Sequence, residues 1–315
     1  MDNRNDVIFA NTKLSYYLYL NYSPLRYPGG KACLSNFIAD IISLNGVRGG
    51  TYLELYAGGA GAALNLLFDN VVRHIHINDF DYHVYAMWHS LLNHPRAFIN
   101  RINRSDVTIE EWRHQKQIFD LGARADLVDL GYATFFLNRT NRSGILLKAG
   151  PIGGFDQTGN YKIDVRFNKN DLIRRIKTIA SRRGDITLTN LDAQEVLTNL
   201  QHYHRNTQGV LLYLDPPYYK KGKNLYMNNY KHGDHLQLSK TIDSLPNNLN
   251  WLISYDNVKE IKDMYRNYRM STFNLSYTVQ DKKVGSELLV FSDNLLIPDY
   301  ITVDSRRNEL ILIEE

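Results

Sequence analysis

The chain holds a single cysteine, Cys33, in 315 residues. One thiol forms no intramolecular disulfide and no cluster of thiolate ligands, which excludes a disulfide-stapled scaffold and a cysteine-rich zinc site. It points to a reducing, cytoplasmic setting. Long apolar runs are missing too. No stretch approaches the ~20 residues that cross a bilayer, so no membrane partner is expected. The opening segment MDNRNDVIFANTKLSYYLYLNY has early acids and a tyrosine-rich centre, unlike a secretory signal. Metal-ligand patterns are scarce as well. His74 and His76 alternate along a strand-like run, and His202 and His204 lack acidic or cysteine partners, so no metal is expected.

What is present is an apolar fraction of 43%, enough for one or two domains with a large core. The net charge is only +4, but it is unevenly spread. Between Arg139 and Arg183 stand eleven basic residues against three acids, a local +8 that leaves −4 for the rest. A basic segment in a mildly acidic chain suits a polyanion partner, although charge alone also describes a solvated helical face.

Apolar runs carry the architecture. TYLELYAGGAGAALNLL (51–67) reads as strand, glycine-rich turn and helix, and VVRHIHINDFD (71–81) as a strand ending at Asp79. DITLTNLDAQEVLTNL (185–200), VLLYLDPPYY (210–219) and NWLISYDN (250–257) supply three more strands. Strands alternating with helices predict a doubly wound, mostly parallel α/β sheet. STFNLSYTV and SELLVFSDN flank a polar turn at 281–285 and predict a C-terminal antiparallel hairpin. NELILIEE reads as a tail strand. Between the second and third strands about a hundred residues have a different texture. They open helically, with Thr108 three before Glu111 as in a capping box. They continue through FFLNRTNRSG into a glycine-rich, hairpin-like stretch, GPIGGFDQTGNYKIDVRFNK. The expected division is an N-terminal extension at 1–24, a core at 25–90 and 185–300, an inserted lobe at 91–184 and a tail at 301–315.

Gly58, Gly59 and Gly61 let the backbone approach a ligand that a Cβ would exclude. Asp79, about twenty residues on, stands where dinucleotide folds place a ribose-binding carboxylate. This pattern says adenosine-containing cofactor without separating a nicotinamide from S-adenosylmethionine, and Ala60 interrupts its glycines. Asp192 suits a hydrogen bond from an adenine amine or a helix N-cap. The strand ending in Asp215, Pro216, Pro217 and Tyr218 is more specific. Proline fixes φ and offers no N–H, so the Pro216 carbonyl is left to accept beside the Asp215 carboxylate. Two such acceptors match the hydrogens of an exocyclic amine, and Tyr218 gives a planar base a stacking face. That is the chemistry of methylating an –NH2 group whose lone pair is otherwise drawn into a ring.

These residues resemble the Dam-type (alpha-group) site-specific DNA adenine-N6 methyltransferases, from about residue 25 to 294. RYPGGKACL (26–34) is similar to the family's N-terminal cofactor motif, ELYAGGAGAAL to its glycine motif, INDFD to its ribose-binding acid, and DPPY to its catalytic tetrapeptide. Leu55 replaces a frequent proline. The resemblance implies a Rossmann-like S-adenosyl-L-methionine methyltransferase sheet of seven strands with an inserted helical and hairpin DNA-recognition lobe. It implies a prokaryotic or viral enzyme on double-stranded DNA that methylates the adenine 6-amino group after base flipping. Cofactor contacts are expected from Tyr27, Lys31, Glu54, Gly58, Gly59, Gly61, Asp79 and Asp192, and catalysis from Asp215, Pro216, Pro217 and Tyr218. DNA contacts are expected from Asn138, Arg139, Arg142, Lys148, Lys220 and Lys221. The residues leave open the cytosine 4-amino group as acceptor, and a silent DNA-binding module.

Overall fold

A computed structural model describes residues 22–26, 30–204, 207–220, 230–279, 281–303, 306–309 and 311–313. A 3-10 turn over Lys31–Leu34 leads into helix α1 (Ser35–Leu44). Then come β1 (Thr51–Glu54), α2 (Gly61–Phe68), β2 (His74–Asn78) and α3 (Tyr82–Asn93). Helices α4 (Pro95–Arg104), α5 (Ile109–Leu121), α6 (Leu127–Thr140) and α7 (Lys169–Ser181) intervene before β3 (Ile186–Thr189). They are followed by α8 (Ala193–Thr198), α9 (Leu200–Tyr203), β4 (Val210–Leu214) and α10 (His232–Asp243). Next are β5 (Asn250–Asp256), α11 (Lys259–Met264), β6 (Arg269–Val279) and β7 (Asp281–Phe291). Strands β8 (Tyr300–Val303), β9 (Arg306–Glu309) and β10 (Ile311–Ile313) come last. Short polar side chains start several helices: Asp81, Asp126, Asn168 and Asp192 each accept from a backbone N–H of the first turn.

The sheet runs β3-β2-β1-β4-β5-β7-β6, with β10 at the outer edge beyond β6. Strands β1 to β5 pair in parallel, whereas β7 runs against both β5 and β6. The seven expected strands are present, and the tail strand adds an eighth. Strand order reverses between β1 and β4, and it is beyond the carboxyl ends of the strands at such a switch point that open α/β sheets bind ligands. The glycine turn and the DPPY segment leave those two ends.

Alternation along the strands sets which residues share a face. Leu53, Leu212, Ile253 and Val290 point into one apolar cluster with α8 and α10. Tyr52, Tyr213, Leu252 and Leu289 point into the other, with α1, α2, α3 and α6. By the same parity Glu54, Asp215, Ser254 and Glu287 fall on the second face near one end of the sheet. Four strands thereby converge polar groups on one place.

Two expectations are corrected. The C-terminal hairpin forms, but its ladder continues out to Val279 opposite Asp281, so 281–285 is strand and not turn. Nothing in Asp281, Lys282 or Lys283 forbids extended backbone, and the ladder to β6 pairs alternate main-chain groups along it. The stretch 150–169 makes no hairpin. Gly153 and Gly154 take positive φ of 84° and 79°, a 3-10 turn spans Ile163–Arg166, and among the described residues its β-contact is a bridge from Asn141 to Pro151. Gln157 supplies what a partner strand would: its amide donates to Ile152 O and Gly154 O and accepts from Ile163 N.

Candidate active site

Asp215 leaves the end of β4 on the face of Tyr213, and its carboxylate is gripped from two sides. Lys31 Nζ donates to Oδ1 at 2.7 Å and to Oδ2 at 2.9 Å. Ser254 Oγ, one strand away on β5, donates to Oδ1 at 2.6 Å. Tyr218 OH donates to Glu287 Oε1 at 2.8 Å, and the Lys31 ammonium lies 5.3 Å from the centroid of its ring. Glu287 Oε2 is 3.8 Å from that ammonium. Burial opposes the charge on Lys31, but Asp215, with Tyr218, Tyr213 and Glu287, more than offsets it and holds the ammonium well above the usual lysine range. Pro216 and Pro217 are buried. Beyond them Asp256 fixes the exit of the chain, accepting from Tyr219 N at 2.8 Å and Lys220 N at 3.0 Å.

On the β1 side, Gly58 sits at φ +46° and donates its N–H to Asp79 Oδ2 at 2.7 Å. Gly59 O accepts from Ser23 Oγ and Gly58 O from Trp88 Nε1. Ala60, the interruption in the glycine run, adopts the left-handed conformation at φ 47°. A Cβ on Gly61 would stand 2.9 Å from the Ala32 Cβ, so this glycine lets the turn that carries Lys31 lie against the start of α2. Asp79 Oδ1 also accepts from Asp81 N. Burial, then Asp81, pushes the Asp79 carboxyl up to about 7. Glu54 is buried and its Oε2 accepts from Ala63 N at 3.2 Å, doing for α2 what the Ala60 side chain cannot. Burial, then Asp215, pushes Glu54 up to about 8, which keeps a second negative charge away from Asp215 at neutral pH. Asp192 caps α8, accepting from Gln194 N at 2.8 Å.

The expected DNA contacts divide. Arg142, Lys148 and Lys220 are exposed. Arg139 is partly buried with its guanidinium on Arg166 O, and burial, with Arg26 and Arg175 nearby, pushes it down to about 10. Asn138 is 0% exposed, with Oδ1 accepting from Arg26 N and Nδ2 donating to Arg26 O and Gly144 O. Its amide is engaged with main-chain groups and holds the approach to Lys31. Tyr27 and Lys221 lie outside the described residues. Of the histidines, His76 and His204 meet at 3.1 Å, and among the described residues no group of three or more His, Cys, Asp or Glu is placed to hold a metal ion.

Three residues escape a reading of the sequence. Ser254 and Glu287 reach the site only through strand order and register. Phe80, 56% exposed immediately after Asp79, did carry a signal, an aromatic following the acid at a strand end.

Comparison with known proteins supplies a family. Among curated proteins none matches the chain in sequence. The rRNA methyltransferase aviRa from Streptomyces viridochromogenes is a similar solved structure, at 14% identity over 82% of this chain and 85% of that one, with a TM-score of 0.32. No helix among the described residues is long and apolar enough to cross a membrane. The family model of the D12 class of N6 adenine-specific DNA methyltransferases matches residues 27–280, a span running from the approach to Lys31 through β1, the DPPY segment and β6. The chain belongs to that class: it is a DNA adenine methyltransferase, which takes a methyl group from a donor to the 6-amino group of adenine.

Proposed function

We propose that the donor is S-adenosyl-L-methionine, held in the crevice beyond β1 and β4, and that the target adenine reaches Asp215 flipped out of double-stranded DNA. The chemistry of the crevice fits the cofactor. Each Asp79 oxygen takes one backbone N–H and retains a lone pair for a ribose hydroxyl, and such donors would favour the ionised carboxylate that burial resists. Phe80 offers an exposed flat face beside it for an adenine ring. Gly58 and Gly59 add no side chain of their own to the turn, Gly61 lets the Lys31 turn close in, and Asp192 and Glu54 border the site. When bound, S-adenosylmethionine supplies an electrophilic methyl group.

The residues of the chain then have an orienting task. Asp215 and the Pro216 carbonyl accept the two amine hydrogens and turn the nitrogen lone pair out of the ring's conjugation. The gain is positioning and electrostatics. Pro217 keeps the elbow rigid, and Tyr218 supplies the stacking face. Its ring is 4% exposed with Lys31 beside it, so a base that stacks there displaces that ammonium from the ring and from part of Asp215. The lobe at 91–184 meets the duplex through Arg142, Lys148 and Arg139, and Lys220, beyond the DPPY segment, adds a cation; these suit phosphates or guanine edges. The observation that carries this reading is the Asp215 carboxylate, fixed at the carboxyl end of β4 by a cation and a hydroxyl that both donate.

The test is methyl transfer from labelled S-adenosylmethionine to unmethylated genomic DNA, with the product nucleoside identified by mass spectrometry. 6-Methyladenine from the parent and none from Asp215→Ala is the expected result. 4-Methylcytosine would move the acceptor to cytosine, and cofactor and DNA binding without any product would leave a silent DNA-binding module.

A further inference from the structure

Behind Asp215 runs a short chain of buried hydroxyls. Tyr213 OH and Ser254 Oγ are 2.7 Å apart, Ser254 Oγ and Asp215 Oδ1 2.6 Å, and both hydroxyl residues are fully buried. The direction of the chain follows from counting protons. Ser254 has one hydroxyl hydrogen and gives it to the carboxylate, so the bond to Tyr213 must be donated by the phenol. Tyr213 is suited to that role. Burial and the negative charge of Asp215 keep its phenol well above the usual range and therefore protonated. Its ring is pinned against Tyr52, with centroids 6.2 Å apart and planes 20° from parallel.

The two donors on Asp215 differ in what they can fix. Lys31 touches both oxygens and does not distinguish them. Ser254 touches Oδ1 alone, which breaks the two-fold symmetry of a torsion that is otherwise broad. When a target amine takes the place of the ammonium on part of the carboxylate, Ser254 is the contact that stays. We infer that Ser254, backed by Tyr213, is a positioning residue that orients the Asp215 carboxylate toward the target amine. This rests on the reading that Asp215 accepts that amine.

The experiment measures steady-state methylation by the full chain with S-adenosylmethionine and a duplex substrate, for the parent, Ser254→Ala, Tyr213→Phe, the double variant and Ser254→Thr. Misorientation of an acceptor costs rate and not affinity, so Ser254→Ala should lose about 10- to 100-fold in kcat while both KM values stay within about three-fold. Tyr213→Phe keeps the ring and should lose less, about three- to ten-fold. Tyr213 reaches the Asp215 carboxylate through Ser254, so the double variant should be no slower than Ser254→Ala. Ser254→Thr restores the donor and should recover most of the rate. A thermal melt accompanies each variant. If Ser254→Ala does not fold, the kcat loss of Tyr213→Phe at unchanged KM carries the same test. Unchanged kcat in Ser254→Ala, a rise in KM alone, or losses that multiply in the double variant would each overturn the inference with the Asp215 reading intact. No transfer by the parent itself would overturn both.

Discussion

At the scale of single residues, the buried amide of Asn138 bridges two segments far apart in the chain. It satisfies both main-chain groups of Arg26, 112 residues earlier in the chain, and the carbonyl of Gly144, whose positive φ of 74° lets it lie against Arg26 O. Arg26 also donates from its guanidinium to Asn141 O. The end of α6 and the turn after it are thereby tied to the segment that leads to Lys31. Asn138→Ala strands these three main-chain groups, and one unsatisfied buried group costs about 1–3 kcal/mol. The expected outcome is a destabilised enzyme whose cofactor affinity and turnover both fall. Calorimetric titration with S-adenosylmethionine and anisotropy with labelled duplex separate the possibilities. A variant that loses only DNA affinity would return Asn138 to the role of a DNA contact.

At the scale of elements, helix α6 reaches its place because Gly131 lets it lie close against α3. A Cβ there would run into Ala86 O and Ser90 Oγ, groups that are themselves hydrogen bonded within α3. Gly131→Ala should therefore overpack this contact, costing about 1–3 kcal/mol and lowering Tm by on the order of 5 °C. Gly233 in α10 provides the opposite sign from the same substitution. It is exposed, with nothing within 4 Å of the place a Cβ would take, so Gly233→Ala should be neutral or raise stability by about 0.5 kcal/mol. A Gly131→Ala melt matching the parent would show that the two helices are not in the close contact described. The same scale explains what the sequence could reveal. Asp215 and the glycine turn are legible because strand ends, prolines and glycines announce themselves within a few residues. Ser254 and Glu287 are not, since a serine or glutamate within an apolar strand gains meaning only from the strand beside it. The burial of Asn138 is hidden for a related reason: it sits in a polar run, NRTNRSG, and depends on Arg26, far off in sequence. The absent hairpin at 150–169 follows from Gln157, whose one side chain makes three hydrogen bonds to the main chain of that stretch.

At the scale of the whole molecule, buried titratable groups of two kinds set how stability varies with pH. Glu54 and Asp79 have folded values near 8 and 7, raised by burial above their usual 4.5 and 3.8. Between those limits the native state binds protons that the unfolded chain has released, so these carboxyls lower stability as pH rises, by up to about 1.4 kcal/mol per group per pH unit. His76 and His235 act oppositely. Burial lowers them to about 3 and 4, so below 6.5 the unfolded chain takes up protons that the native state refuses, and stability falls as pH falls. Above 6.5 these histidines are neutral in both states and the carboxyl contribution is left unopposed. The two pairs offset each other at about pH 5–5.5, so Tm of the enzyme without ligands should be highest there and decline towards pH 8. Glu54→Gln isolates the cause, because glutamine keeps an acceptor for Ala63 N and has nothing to ionise. The variant should melt higher than the parent at pH 8 and close to it at pH 5. A parent Tm that stays level or climbs from pH 6.5 to 8, or a variant that gains equally at both pH values, would mean that Glu54 already carries its charge in the folded protein and that the charge balance around Asp215 differs from the one drawn from its neighbours.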